Sequence, residues 1–569
     1  MRNLARRCRH VGLVAMIAAG SLVGGPSADG ATCALPVRYS ATSDTTYLTA
    51  PGPIDTLTEI KAACPGAPLV QSSPGVWELN SDLVVQGGAT LNLSGDVKVL
   101  RLQSLPSGLT KDVSALIAQY GTINMNGVTV TSWNGTGPDT DLTVPSGGTR
   151  GRAFVRAVSF MEGSTPRESR MDIVNSDLGF LGYNAAESYG VSYKARGCGA
   201  TTPAICDALN VLGDQTGSTF HDNYIGTYTW GANKMTFDKN KYLRNKYYGL
   251  DPHDDSDNLT ITNNTFADNG NHGLICSQRC NNLIIKNNIS RHNTSATAET
   301  HGIMLHRGVT DAVVENNIVE NNTTGGGIVV FDSVGNSIKN NTVTGNKYGL
   351  RFSVGTRGLT VENNKVTGSL QYAVYTYKGS DAPSFTGTSG RPTGITFTGN
   401  TFDGAGSELF KIQDSTGFTF TGGSIKPGTL TKGPKFERAD GHKFGPVTMP
   451  SGTTTFTLRG TSTVKTSLTI KGIPASAVKI DKDAYSTATF DGTTLSATST
   501  AVATPTSTAP TSTAPTAASP TATAARAALP VVVNGPVSPI VTPTGVAEAP
   551  PAAGETTPCL LYTSDAADD

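Results

Sequence analysis

From about residue 77 to about residue 430 the chain alternates apolar and polar positions in short β-type runs, separated by asparagine and glycine turns. Aligned on Asn-Asn pairs, "LTITNN" ends at Asn264, "LIIKNN" at Asn288, "AVVENN" at Asn317, "NSIKNN" at Asn341 and "LTVENN" at Asn364, in steps of 24, 29, 24 and 23 residues. One β-run, an asparagine turn and a second β-run at a period of 23 to 24 predict a solenoid, here an all-β, right-handed parallel β-helix. Leucine-rich repeats are the rival, but the LxxLxL spacing is absent and no helix fits between the strands. The asparagines themselves read as structural, with stacked amides satisfying the turn backbones.

In each coil a glycine opens another short strand: "YGVSYK", "IGTYTW", "YGLDPHD", "HGLICSQR", "HGIMLHR", "GGIVVFD", "YGLRFSV". Side chains one and three places after that glycine should point into the coil: Val191, Leu250, Pro252, Leu274, Cys276, Ile303, Leu305, Leu350 and Phe352. Those two and four places after should point out and stack along one face: Lys194, Tyr228, Trp230, Asp251, His253, Ser277, Met304, His306, Arg351, Tyr375 and Tyr377. Aromatics and cations around an Asp/His pair suit an extended anionic sugar chain.

The flanks divide the rest. Residues 1–31 have a basic start, an apolar run from about Val11 to Val23 and small residues beyond it, which predicts a signal peptide and an exported, secreted or cell-envelope protein. That run is too short for a comfortable membrane span, and none is expected in the mature chain. Residues 32–76 are expected to cap the solenoid and to contain one helix, "TLTEIKAAC", with Thr56 and Glu59 as a capping box. The β-helix domain is placed at 77–430, and a C-terminal cap or small β module at 431–495, where "TTTFTLRG" and "TSLTIKG" still read as strands. The Ala/Thr/Ser/Pro-rich stretch 496–558 cannot bury a core and predicts a disordered tail. Residues 559–569, "CLLYTSDAADD", resemble the translation of a sequencing adapter and are expected to be an artefact.

Composition adds limits. With 7% aromatics, 64 glycines and a formal net charge of zero, no global field selects nucleic acid or an anionic membrane. No GxxxxGK[ST] phosphate loop occurs and no oligomer signal stands out, so a monomer is expected. Setting aside Cys8 and Cys559, six cysteines in an exported chain read as disulfides, and nearness suggests Cys33–Cys64, Cys198–Cys206 and Cys276–Cys280. Zinc is the rival, without the CxxC or HxxxH spacing that would support it.

"DPHD" carries the chemistry. A histidine between carboxylates on a groove surface can be a general base, Arg279 one coil later can hold a carboxylate bidentately, and Tyr248 offers a phenol. Together they fit removal of the carbon-5 proton of a uronic acid, where a guanidinium neutralises the adjacent carboxylate. Reprotonation from the other face gives an epimer, and expulsion of the 4-linked sugar gives a lyase product.

"YGLDPHDDS" is similar to the YGxDPHD signature of mannuronan C-5 epimerases, and the spacing of 26 residues from His253 to Arg279 resembles that of the base and arginine in the periplasmic, alginate-biosynthetic type. "LGYNAAESYGVSY" also looks like the family's, so the resemblance covers roughly 170–380. It implies a right-handed β-helix acting on polymannuronate, with His253 as base, Arg279 as neutraliser, Asp251 as the partner that fixes the site, and Tyr248 or a water as acid. Arg307, five places after its glycine where Arg279 is six, is the alternative neutraliser. Substrate contacts are expected from Asp254, Lys194, Tyr228, Trp230, His306, Arg307, Arg351, Tyr375 and Tyr377. No metal or other cofactor is expected. The Gly-Gly-x-Gly-x-Asp repeats of secreted modular epimerases are absent, which leaves calcium open but unpredicted. The competing readings are a β-helix lyase acting on a uronan and a non-catalytic glycan-binding surface protein. A glycosidase would need clustered carboxylates, and of Asp251, Asp254 and Asp255 only the first lies in the outward column.

Overall fold

The computed structural model describes residues 33–107, 110–143, 150–428, 432–491 and 493–495. The expected signal peptide, tail and adapter-like end lie outside the described residues. Each coil supplies one strand to each of three long sheets of 18, 16 and 15 strands, whose neighbours are parallel almost throughout. In one coil these are Thr260–Thr262, Thr265–Ala267 and Leu274–Ser277; the next coil repeats them as Ile284–Lys286, Ile289–Arg291 and Ile303–His306. Their registers are Thr260 on Ile284, Thr265 on Ile289 and Leu274 on Ile303. This is the right-handed parallel β-helix.

The Asn-Asn pairs show why the chain turns where it does. The first asparagine of each pair takes a left-handed backbone: φ is 58° at Asn263, 58° at Asn287, 57° at Asn316, 54° at Asn340 and 52° at Asn363. Asparagine tolerates that region better than most residues. The second is buried, and its amide stacks coil on coil. Asn264 Nδ2 donates to Asn288 Oδ1 at 3.0 Å, Asn288 to Asn317 at 3.0 Å, Asn317 to Asn341 at 3.0 Å and Asn341 to Asn364 at 2.9 Å. A second ladder runs parallel to it: Asn245 donates to Asn269 at 2.9 Å, Asn269 to Asn293 at 2.8 Å, Asn293 to Asn322 at 2.9 Å and Asn322 to Asn346 at 2.8 Å. There the left-handed residue varies (Arg244, Asp268, His292, Asn321), so no paired signature marks it.

The core is one continuous apolar column that contains Val191, Leu250, Leu274, Cys276, Ile303, Leu305, Leu350 and Phe352, all from the expected inward set. Pro252 is buried beside them. Upstream, the helix Leu57–Ala63 starts at the expected capping box: Thr56 Oγ1 accepts from Glu59 N–H at 3.3 Å, and Glu59 Oε2 accepts from Thr56 N–H at 3.1 Å. Downstream, residues expected as a cap or separate module extend two of the three sheets. The strands Lys435–Glu437, Thr454–Arg459 and Val478–Lys482 continue one, and His442–Phe444, Thr466–Ile470 and Ser486–Phe490 continue another. The third ends at Ser424–Lys426, which is why the repeat fades in the sequence. Among the described residues no helix is long and apolar enough to cross a membrane.

Disulfides join Cys33 to Cys64 and Cys198 to Cys206. The expected Cys276–Cys280 bond does not form; both thiols are free and buried. Cys276 points inward from its strand, the chain turns through left-handed Gln278 and Arg279, and Cys280 re-enters the core, its Sγ 3.5 Å from the Pro252 carbonyl oxygen. Both serve as small core side chains, and burial pushes both thiols up. Among the described residues the one cluster with metal-ligand spacing is Cys198, Cys206 and Asp255, and its two sulfurs are bonded to each other.

Candidate active site

The outward positions stack in register on the 18-stranded sheet. One column runs Lys194, Trp230, His253, Ser277, His306, Phe331, Ser353, Tyr377. Beside it Arg156, Ser192, Tyr228 and Asp251 form one run, and Met304, Val329, Arg351, Tyr375 and Lys411 another. Pro252 has no N–H, and the strand Leu250–His253 pairs with the next coil only at Leu250 and His253.

His253 is held from several sides. Its ring stacks on Trp230 at a centroid distance of 5.4 Å and 13°, and lies tilted against Tyr228 at 5.6 Å. Asp254 Oδ2 sits 2.5 Å from Nδ1. The other oxygen of Asp254 accepts from Arg279 Nη2, so one buried carboxylate bridges the imidazole and the guanidinium. Arg279 also grips Asp255, through Nε at 2.9 Å and Nη2 at 3.0 Å, while Nη1 donates to Gln278 Oε1 at 3.3 Å. Asp255 and Arg279 both take the left-handed backbone that turns each coil out of its strand, and this stacks one above the other.

Burial alone would push the His253 pKa down. The contact with Asp254 and the field of Asp251 outweigh it and hold the pKa above its ordinary 6.5. Burial pushes the Asp251 carboxyl up to about 6, against the pull of His253, and its Oδ1 has no hydrogen-bond partner. Nδ1 makes no well-aligned hydrogen bond, but the Asp254 charge 2.5 Å away favours the proton on that nitrogen, which leaves Nε2 as the basic one.

Tyr248 stacks on His272 at 5.2 Å and packs against an apolar cluster around Ile275 and Met304. Tyr228 is buried, which drives its phenol far up. Lys194 lies 4.7 Å over the Trp230 ring and 3.5 Å from Glu187, which also meets Arg196 at 2.7 Å and Arg156 at 3.3 Å. His306 is tilted against Phe331 at 4.9 Å. Arg307 donates to Asp381 at 2.6 Å and lies 3.9 Å from Asp332, so of the two arginines Arg279 is the one tied to His253 through Asp254. Arg351 pairs with Glu299 and with the Tyr377 hydroxyl, and Tyr375 lies among Tyr348, Tyr372 and Tyr377. Glu187 and Glu299 are not among the expected residues, since neither lies in a glycine-led strand, and Asp255, expected only as one of a carboxylate cluster, is found as a partner of Arg279. The one available signal for Glu299 is the longer 29-residue step that contains it.

Residues 216–366 match the family model for a right handed beta helix region. In curated proteins, the chain is 28% identical over 241 residues to the mannuronan C5-epimerase AlgG of Azotobacter vinelandii, covering 42% of each chain. It is 28% identical over 248 residues to the mannuronan C5-epimerase of Pseudomonas aeruginosa, covering 42% of this chain and 40% of that one. The matched stretch thus spans less than half the length of these relatives. Among solved structures, the periplasmic alginate epimerase AlgG superposes with a TM-score of 0.55 at 21% identity, over 68% of this chain and 84% of that one. Over about two fifths of its length the chain is therefore similar in sequence to mannuronan C5-epimerases, and it shares the β-helix fold of the periplasmic alginate epimerase.

Proposed function

We propose that this chain is an exported polysaccharide epimerase that converts mannuronate to guluronate residues within polymannuronate or alginate. The observation that carries the reading is the Asp254 bridge: one buried carboxylate orients a histidine of raised basicity and anchors an arginine beside it, in a chain similar over 241 residues to a mannuronan C5-epimerase. The two disulfides fit an oxidising compartment.

In this mechanism His253 Nε2 takes the carbon-5 proton of a bound mannuronate. The electron pair left on carbon 5 delocalises into the carboxylate, which would carry a second negative charge without a cation beside it. Arg279 supplies that cation, through the Nη1 that neither Asp254 nor Asp255 engages. A proton delivered from the opposite face, by Tyr248 or a water, completes inversion. Trp230, Tyr228 and Lys194 would hold the sugars on one side of His253, and His306, Arg307, Arg351, Tyr375 and Tyr377 those on the other.

Proton NMR of polymannuronate incubated with the protein in deuterium oxide tests this directly. Guluronate signals with deuterium at carbon 5 are expected. Unsaturated chain ends would instead mean a lyase, and an unchanged spectrum a binding protein.

The reading also fixes a pH dependence. His253 acts as a base only when neutral, so kcat/KM should rise with pH through a value above 6.5. The Asp254 charge favours the imidazolium, and removing it must lower that pKa. Asp254→Asn should therefore move the rising limb to lower pH while lowering the plateau, since Arg279 loses an anchor. A limb that stays in place would exclude His253 as the titrating base.

A further inference from the structure

Toward the C-terminal end of the groove, the step from Asn288 to Asn317 is 29 residues where its neighbour is 24. The extra residues form a loop after Asn293 that returns at Thr300, whose buried hydroxyl donates to the Asn293 carbonyl at 2.7 Å. Just before that anchor, Glu299 reaches across to three donors on a later coil. Oε1 accepts from Lys347 Nζ at 2.8 Å and from the Tyr348 hydroxyl at 3.3 Å, and Oε2 accepts from Arg351 Nη1. Burial opposes ionisation of Glu299, but Arg351 and Lys347 outweigh it and hold its carboxyl below the usual range.

Two features distinguish this cluster from an ordinary surface ion pair. The Arg351 side chain is only 5% exposed while that of Glu299 is 29% exposed, so the cation belongs to the groove floor and the carboxylate lies over it. A charge-assisted donor set this deep demands a carboxylate, because leaving it empty would strand a buried cation. The second feature is His301. Its Nδ1 accepts from Gly326 N–H at 2.9 Å, which puts the ring proton on Nε2, and that buried Nε2–H has no partner. His301 and Arg351 are neighbours: a Cβ added at Gly326 would lie 3.7 Å from His301 Nδ1 and 3.6 Å from Arg351 Cβ. A buried donor close to Arg351 is thus left unused.

We propose that Arg351, Lys347 and the Tyr348 hydroxyl, with the unused His301 donor nearby, form a subsite for the carboxylate of a remote uronate in the bound chain, and that Glu299 is a built-in stand-in which the chain displaces. The proposal rests on the uronan reading above and extends it to a position four coils from Asp251, about 19 Å along the axis at ~4.8 Å per coil. The stacked Tyr375 and Tyr377 beside Arg351 supply apolar faces for the sugar rings. An anionic polymer brings the carboxylate that replaces Glu299; a neutral chain does not, so the loop discriminates by charge as well as covering the site.

The test is calorimetric titration of octamannuronate into the full chain carrying His253→Asn, which separates binding from turnover, with and without Glu299→Gln. Removing the competing charge should tighten octamannuronate about fivefold, with no change for a neutral mannan octamer. Arg351→Gln in the same background should weaken octamannuronate about tenfold. An independent readout needs no loop variant: in protein labelled with carbon-13 at glutamate carboxyls, the Glu299 titration should move up on octamannuronate binding, because its cations have been taken. Equal or weaker binding with Glu299→Gln, an unmoved Glu299 titration, or no octamannuronate binding at all would overturn the proposal. Epimerisation by the unmutated chain is measured in parallel. Turnover without a Glu299 response sinks this inference alone, and a Glu299 response without turnover sinks the epimerase alone.

Discussion

Replacing His253 with Asn is expected to abolish epimerisation, lowering kcat by roughly three orders of magnitude, about 4 kcal/mol of barrier. Asparagine keeps a donor near Asp254, so the bridge to Arg279 and the fold should survive. Apparent affinity for polymannuronate should change little, since the stacking partners Trp230 and Tyr228 and the cation Lys194 are untouched. The decisive readout is deuterium wash-in at carbon 5, which reports proton abstraction even where no net inversion follows. Loss of inversion with wash-in intact would mean that His253 supplies the returning proton and that the base lies elsewhere. Retention of both activities would remove His253 from the reaction.

The same strand shows what the sequence carries and where it stops. Alternation after the glycine places Leu250 and Pro252 inside and Asp251 and His253 outside, and strand registry then stacks Trp230, His253 and Ser277 one above another. Both follow from a period of two and a coil length near 24, which are local properties. What Arg279 touches is not local. It lies beyond its strand, in the left-handed turn, and its partners Asp254 and Asp255 sit in the equivalent turn one coil earlier. Sequence spacing relates His253 to Arg279 without revealing that a carboxylate stands between them. Glu299 is further out of reach, because the loop that carries it interrupts the period from which everything else is read. The free Cys276 and Cys280 make the complementary point: nearness in sequence suggested a bond, while the burial of both side chains uses them for packing.

Two adjacent asparagines of one turn should differ widely in what they contribute to stability. Asn317 is 1% exposed and satisfies four contacts: its amide donates to the Ile285 carbonyl at 2.9 Å and to Asn341 Oδ1 at 3.0 Å, and its oxygen accepts from Asn288 N–H at 2.9 Å and Asn288 Nδ2 at 3.0 Å. Alanine there leaves the Asn288 donors buried and unpaired and opens a gap in the ladder, and the loss should be about 3–5 kcal/mol, read as a lower urea midpoint. Asn316 makes no such ladder; its work is to hold φ at 57° on an exposed turn. Glycine at 316 should therefore be close to neutral and valine should cost about 1–2 kcal/mol, because only the backbone conformation is at issue. Equal losses for Asn317→Ala and Asn316→Gly would show that the stacked amides do not set the stability of the coil. The predicted order would show that the Asn-Asn signature is two separate requirements placed side by side: one residue that can bend the chain left-handed, and one whose amide closes the hydrogen bonds the bend leaves open.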